Sequence, residues 1–426
     1  MSNPTIDQAS STTYAKLYQA VAYAAQHSTY YKNKWASIGF DLSSFKSVED
    51  LKQLPLTSKD DLQKENDAFL SIDPSLIIDY SSTSGTLGKP VSFPLSQKDL
   101  DRLALNESLS LKATGVEEGT KILLTTTMDK QFMAGLAYFL GARKLGASVI
   151  RSGPGLPAMK WDTIQNLKPD YLIAVPSFVL KMIDYAKEQG IDYKSSSIKK
   201  ILCIGEPIRN PDFTNNVLGQ RILEQWNVKL YSTYASTEKG TAFTECEEGK
   251  GGHVLEDLIY VELLDDQGNE VPMGMEGEVV ITTFGVQAMP LVRYKTGDIA
   301  ILHHEPCACG NKTPRLGPIL GRKQQMIKFK GTTIFPQAVF EVLNKLDFIV
   351  DYYLKVSTDE MMLDTLTVFV CTKKDKEVAK KQLVELFKAS LRVTPDIVFQ
   401  TMEELSKVKY KSENRKPVLF LDNRTK

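Results

Sequence analysis

Apolar positions recur at helical spacing over residues 14–35, at Tyr14, Leu17, Val21, Tyr23 and Ala24, with Thr12 or Thr13 placed to cap that helix. A second helix start is written in Thr57-Ser58-Lys59-Asp60-Asp61-Leu62. From there short apolar runs alternate with helical stretches. The runs are Leu76-Ile77-Ile78, Lys121-Ile122-Leu123-Leu124-Thr125-Thr126, Ser148-Val149-Ile150, Tyr171-Leu172-Ile173-Ala174-Val175 and Lys200-Ile201-Leu202-Cys203-Ile204-Gly205. Helices are expected over residues 97–111 and 133–145, around 162–167, and from Ser177. Buried-type strands alternating with helices predict an α/β fold whose sheet is mainly parallel and covered by helices on both faces. In such sheets ligands gather at the carboxyl ends of strands. Residues 82–88, 205–207 and 234–238 all follow expected strands and are positioned to share one crevice.

Beyond Glu238 the pattern changes. Asp265-Asp266-Gln267-Gly268 and Met273-Gly274-Met275-Glu276-Gly277 are turn sequences flanking short strands at 261–264 and 278–283, as in an antiparallel β meander. The last hundred residues read as a small α+β unit: a strand at 366–370, a helix over 377–390 and a strand at 396–399. The change places a boundary near 321–325. The expected division is a large N-terminal domain, 1–323, and a small mobile C-terminal domain, 324–426. No internal repeat or low-complexity tract interrupts it.

Composition narrows the partners. Lys+Arg and Asp+Glu are balanced at 52 each, so no global field favours nucleic acid or an anionic membrane. Met1-Ser2-Asn3-Pro4-Thr5 carries no charged-then-apolar leader pattern, and no apolar run approaches a membrane span. The five cysteines, Cys203, Cys246, Cys307, Cys309 and Cys371, are odd in number and sparse, which reads as reduced thiols in a cytoplasmic protein. Cys203 and Cys371 lie in apolar runs and are expected in the core.

The densest chemistry is in Tyr80-Ser81-Ser82-Thr83-Ser84-Gly85-Thr86-Leu87-Gly88-Lys89-Pro90. Glycines let backbone N–H groups turn toward an anion, hydroxyls add donors, and Lys89 supplies a mobile cation. Only two residues separate Gly85 from Gly88, so this is not a Walker A loop. An isolated Ser/Gly stretch reads as a linker. The apolar run before it and Val91-Ser92-Phe93-Pro94 after it argue for a phosphate-wrapping loop between strands. Tyr234-Ala235-Ser236-Thr237-Glu238 offers an aromatic face for a purine, a hydroxyl for a phosphate and a carboxylate for Mg²⁺. In Arg293-Tyr294-Lys295-Thr296-Gly297-Asp298, after the strand-like run 289–292, Asp298 can accept ribose hydroxyls, or close a salt bridge at a strand end.

Together with Gly205-Glu206-Pro207 and Gly321-Arg322, these motifs resemble the adenylate-forming acyl-CoA synthetase superfamily, and within it the phenylacetate–coenzyme A ligase group. The resemblance covers nearly the whole chain, including 51–62 and 277–298. It implies that Thr83, Ser84, Thr86 and Lys89 embrace the β- and γ-phosphates of ATP, with Ser82, Gly85 and Gly88 in the same loop. Glu206 and Pro207, after Gly205, would border the adenine. Tyr234, leading Ala235 and Ser236, would stack on it. Thr237 would contact the α-phosphate, Glu238 would bind Mg²⁺, and Asp298, helped by Arg322, would hold the ribose. The implied reaction is attack of a carboxylate, expected to be aryl or arylacetic, on the α-phosphorus. An acyl-adenylate and pyrophosphate result, and the thiolate of coenzyme A then displaces AMP. An alternative keeps the adenylate chemistry and passes AMP or the acyl group to a non-CoA acceptor; a further one is a nucleotide-binding protein with degraded catalysis.

The family also uses a lysine in a Ser-Glu-Gly-Lys-Ala context, six residues ahead of an Asp. Here Ser412-Glu413-Asn414-Arg415-Lys416-Pro417 precedes Asp422 and puts Lys416 in that place. At the hinge, relatives carry Gly-Arg-x-Asp-Asp-Met where this chain has Gly321-Arg322-Lys323-Gln324-Gln325-Met326. A homodimer is the ordinary assembly of the group. Separately, Cys246, His253, Cys307 and Cys309 offer three thiolates and an imidazole, a donor set suited to a closed, structural, tetrahedral Zn²⁺, with His303 and His304 as competing ligands. Some ligase relatives show a similar Cys…His…Cys-x-Cys pattern. Met128, Phe132 and Phe178 are placed for packing or for an acyl pocket, and Ser177 has no nucleophile context.

Overall fold

Side-chain caps set several element boundaries. The hydroxyls of Ser58 and Ser96 each accept from the backbone N–H three residues on, and Asp61 and Asp99 accept in return from the caps' own N–H groups. The computed structural model describes residues 6–83, 90–329, 332–359, 363–410 and 417–424. It divides into two compact units: Met1–Asn215, Gly219–Thr296 and Ala300–Pro318 form one, and Asn216–Leu218, Gly297–Ile299 and Ile319–Lys426 the other.

In chain order the elements begin with α1 Ile6–His27, α2 Thr29–Ser37 and α3 Lys59–Lys64, then the antiparallel hairpin β1 Ile77–Ser82 and β2 Ser92–Ser96. There follow α4 Gln97–Ala113, β3 Lys121–Leu124, α5 Met133–Lys144, β4 Ser148–Arg151, α6 Pro157–Leu167, β5 Tyr171–Ala174, α7 Pro176–Glu188, β6 Lys200–Cys203 and α8 Val217–Gln225. The meander comprises β7 Lys229–Ser236, β8 Thr241–Glu245, β9 Gly252–His253, β10 Ile259–Leu264, β11 Glu276–Thr283, β12 Tyr294–His303 and β13 Arg315–Leu316.

One sheet carries most of these strands. Its parallel half runs β4-β3-β5-β6-β7; β8, β9, β13 and β12 follow antiparallel, and β11 and β10 complete the edge. Ile122, Leu124, Tyr171, Ile173, Leu202 and Tyr231 from the parallel strands pack with Leu111, Tyr138 and Ala142 of α4 and α5. Near-continuous apolar runs are what a sheet buried on both faces requires. The α/β reading, with an antiparallel meander and a separate small α+β region, therefore holds.

The second unit contains β14 Gly321–Arg322, the hairpin β15 Ile327–Phe329 and β16 Thr332–Ile334, α9 Pro336–Asn344, β17 Ile349–Thr358, β18 Asp364–Thr372, α10 Lys376–Leu391, β19 Asp396–Phe399, α11 Met402–Lys409 and β20 Phe420–Asn423. Its four-stranded sheet runs β19-β18-β17-β20, over a core that includes Leu354, Val356, Val368, Val370, Leu383 and Phe387. Cys203 is buried, whereas Cys371, on the β18 strand, is half-buried.

Three local expectations change. Residues 14–35 form two helices, because Ser28 adopts an extended conformation and its hydroxyl caps α2 by accepting from the Tyr31 N–H. Thr12 and Thr13 lie inside α1, which begins at Ile6. The run 289–292 is not a strand: Leu291 N–H donates to the Thr283 hydroxyl and Val292 N–H to the buried Tyr31 hydroxyl, so side chains take donors a ladder would use.

Candidate active site and metal centre

β6 and β7 are adjacent parallel strands, with Cys203 opposite Ser232. Extending that register carries residues 205–207 alongside 234–236, so two of the motifs emerge together at the carboxyl edge of the sheet. Gly205 makes the turn at φ +74°, in the left-handed region where a side chain is strained. The Glu206 carboxylate is already engaged, accepting from the Ser177 N–H and hydroxyl, both at 2.9 Å, at the N-terminus of α7. Ser177 thus has a positional role. Downstream, Arg209 donates to both carboxylate oxygens of the buried Glu245 at 3.0–3.2 Å and to Leu230 O, fixing this segment onto the β7 and β8 strands.

The β7 strand runs on into the 234–238 motif. Tyr234, Ala235 and Ser236 belong to the ladder, opposite Phe243, Ala242 and Thr241, and only Thr237 and Glu238 stand in the turn that follows. Both are half-buried there. Gly240 N–H closes the turn onto Ser236 O at 3.2 Å.

Sequence reasoning missed the group that anchors this turn. Arg102 of α4, buried, donates to Gly240 O at 2.7 Å, Thr241 Oγ1 at 3.0 Å, Phe284 O at 2.6 Å and Leu258 O at 2.6 Å. Burial lowers its pKa to about 10, and Asp99 works against that fall, so it stays charged at neutral pH. One turn on, Asn106 Oδ1 accepts from Ala242 N–H at 3.1 Å. A charged residue in an amphipathic helix ordinarily marks its solvent face; only the fold turns this one inward.

Ser82 and Thr83 sit where the β1–β2 hairpin opens. Ser82 N–H donates to Gln131 O at 3.0 Å. Thr83 donates its N–H to Val91 O and accepts from the Val91 N–H through Oγ1, both at 3.0 Å. The two ends of the proposed phosphate loop are therefore strand-flanked. Ser84, Gly85, Thr86, Gly88 and Lys89 lie outside the described residues, as does Lys416.

Asp298 lies within β12 itself, opposite Arg322 of β14, and its buried carboxylate accepts from Arg322 Nε at 3.1 Å. Both belong to the second unit by contact. Arg293, which opens that motif with φ +48°, is a buried strut: it pairs with Glu262 at 2.9 Å and donates to Leu54 O at 2.8 Å.

Cys246, His253, Cys307 and Cys309 converge, their ligand atoms all within 4.8 Å of one another. Cys246 Sγ is 3.7 Å from Cys307 Sγ, and Cys309 Sγ is 3.4 Å from His253 Nε2. A tetrahedral zinc with bonds of about 2.3 Å to sulfur and about 2.0 Å to nitrogen has edges of about 3.8 and 3.5 Å. The donors thus fit that ion. His253 sits on β9 between Thr244 and Arg315, and Gly252 allows the close approach, since a Cβ there would lie 2.3 Å from Phe243 O. Arg315 ties the two arms by donating to Lys250 O at 2.6 Å and Glu305 O at 3.0 Å. Burial first, then Arg315, pushes His253 below its usual value, leaving a neutral imidazole able to ligate, while burial pushes the Cys246 thiol up to about 12. His303 and His304 are not in the cluster.

Segments 205–207 and 234–238 meet at the carboxyl edge of an α/β sheet, where enzymes of this architecture gather their ligands. The AMP-binding enzyme family matches residues 37–289, and the chain belongs to it. Within that family, phenylacetate–coenzyme A ligases of Thermus thermophilus and Aromatoleum evansii are 29% and 30% identical, over 82% and 83% of this chain and 78% and 80% of their own lengths. The Escherichia coli phenylacetate–coenzyme A ligase is 26% identical over 86% of this chain and 83% of its own. The fold also matches a crystal structure of 2-hydroxyisobutyryl-CoA ligase in the postadenylation state, with TM-score 0.84 and 22% identity, covering 98% of this chain and 90% of that one. No described helix is long and apolar enough to cross a membrane.

Proposed function

We propose that the acid handled by this AMP-forming acid–coenzyme A ligase is an aryl or arylacetic acid, in keeping with its similarity to phenylacetate–coenzyme A ligases. The observation that carries the site assignment is the emergence of 205–207 and 234–238 side by side at the ends of β6 and β7. Tyr234 stacks on adenine, with Glu206 holding the neighbouring turn against α7 so that Gly205 and Pro207 border the base. Thr237 donates to the α-phosphate, and Glu238 holds Mg²⁺, which neutralises phosphate charge. Ser82 and Thr83 lead into the loop for the β- and γ-phosphates. Asp298 accepts the ribose hydroxyls, steadied by Arg322, and Lys416 reaches the acid and phosphate during adenylation. Positioning and charge neutralisation supply most of the catalysis.

The Cys246, His253, Cys307 and Cys309 set holds a structural Zn²⁺. Four protein donors leave no open position for water. The resemblance also supports a cytoplasmic homodimer.

Pyrophosphate and AMP release, measured over a panel of carboxylic acids with and without coenzyme A, tests the reading. Fast pyrophosphate release with phenylacetate-like acids, and AMP release that depends on coenzyme A, is expected. AMP release independent of coenzyme A for every acid would overturn the ligase assignment.

A further inference from the structure

Lys239 immediately follows Glu238 and is fully buried. Its Nζ lies 3.0 Å from the centroid of the Tyr234 ring and 5.5 Å from that of Phe243. The Phe243 ring stands 5.9 Å from Tyr234, tilted by 33°. Tyr234 itself keeps part of its surface exposed. The lysine's backbone is also held: its N–H donates to Ser236 Oγ at 3.4 Å, and the next residue's carbonyl accepts from Arg102 at 2.7 Å.

We infer that Lys239 is a positioning residue for the nucleotide base, acting through the Tyr234 ring. This rests on the reading that Tyr234 stacks on adenine. An ammonium against one face of an aromatic ring is attracted by that ring's negative quadrupole. It draws π density toward itself and leaves the far face less negative, and so better matched to an electron-rich purine. The buried stem has a second effect. It binds the Thr237–Glu238 turn to the underside of the stacking ring, so the groups meant for phosphate and Mg²⁺ keep a fixed offset from the base. Burying an ammonium is costly, and a hydrocarbon side chain would fill the same space without that cost. The ammonium against the ring is the feature that recognition of the base would use.

The test is calorimetric titration of ATP and of inorganic tripolyphosphate into the full chain, Lys239→Met, Tyr234→Leu and the double variant, with melting temperature as the folding control. Loss of the cation should weaken ATP binding about 3- to 10-fold while leaving tripolyphosphate within about twofold, since only the base feels the ring. In the Tyr234→Leu background the same substitution should cost nothing more. Equal weakening of ATP and tripolyphosphate would overturn the inference, as would unchanged ATP affinity or an equal loss in both backgrounds. If Tyr234→Leu alone leaves ATP affinity intact, the stacking reading itself falls and takes this one with it. Should Lys239→Met yield too little folded protein, Lys239→Gln, which is polar but uncharged, carries the same comparison.

Discussion

Glu107, on α4, is buried, and only its Oε1 is engaged, accepting from Asn106 Nδ2 at 3.2 Å. Burial pushes its carboxyl up to about 8 from an ordinary 4.5, so it is protonated at neutral pH. A group whose folded pKa is raised contributes stability that is full below the unfolded value and lost as pH climbs to the folded one. The unfolding free energy should therefore decline between pH 4.5 and about 8, at up to about 1.4 kcal/mol per pH unit from this residue. Urea denaturation of Glu107→Gln should show that slope removed; an unchanged slope contradicts the assignment. Such residues are not legible in a sequence. The Cys246, His253, Cys307 and Cys309 set was, because its side chains combine a chemistry that is specific in itself, and the four do converge. Glu107 and Arg102 look like any charged residue on a helix; packing against Gly141 of α5 helps bury Glu107, and the carbonyls of Gly240, Leu258 and Phe284 give Arg102 its role.

At the scale of elements, parallel strands announce themselves as apolar runs, and four of the five in the parallel half, β3, β4, β5 and β6, stand on the runs read from the sequence. What was not legible is where backbone pairing stops. The β7 strand continues through Ser236 because β8 returns antiparallel beside it, and the run 289–292 loses its ladder to Tyr31 and Thr283, both distant in sequence. Arg102 links α4 to three of these segments. Arg102→Met would leave the carbonyls of Gly240, Phe284 and Leu258 without this donor. A loss of about 3 kcal/mol or more in unfolding free energy is expected, with a fall in kcat as the Thr237–Glu238 turn loses its anchor. Denaturant titration and steady-state kinetics check both. The metal cluster joins β9 to the turn between β12 and β13, so its loss should act on this meander. Elemental analysis should find one zinc per chain, absent in Cys309→Ser, and chelation should lower the melting temperature by on the order of 5 °C. Zinc-free protein with an unaltered melting point contradicts a structural ion.

For the molecule as a whole, balanced charge excluded nucleic acid and membrane partners from the expectation, and the change of pattern beyond Glu238 anticipated a meander followed by a small α+β region. The acid's identity was not legible, because the shape of its pocket comes from side chains gathered from many elements. Motif order said more about the expected nucleotide chemistry than composition could, and topology sets the 205–207 and 234–238 segments beside each other at β6 and β7. A crystal structure with bound AMP bears most directly on that chemistry. The adenine should lie against Tyr234 beside Gly205 and Pro207, with the phosphate within hydrogen-bond reach of Thr237. Nucleotide density anywhere remote from the ends of the β6 and β7 strands would contradict the site described.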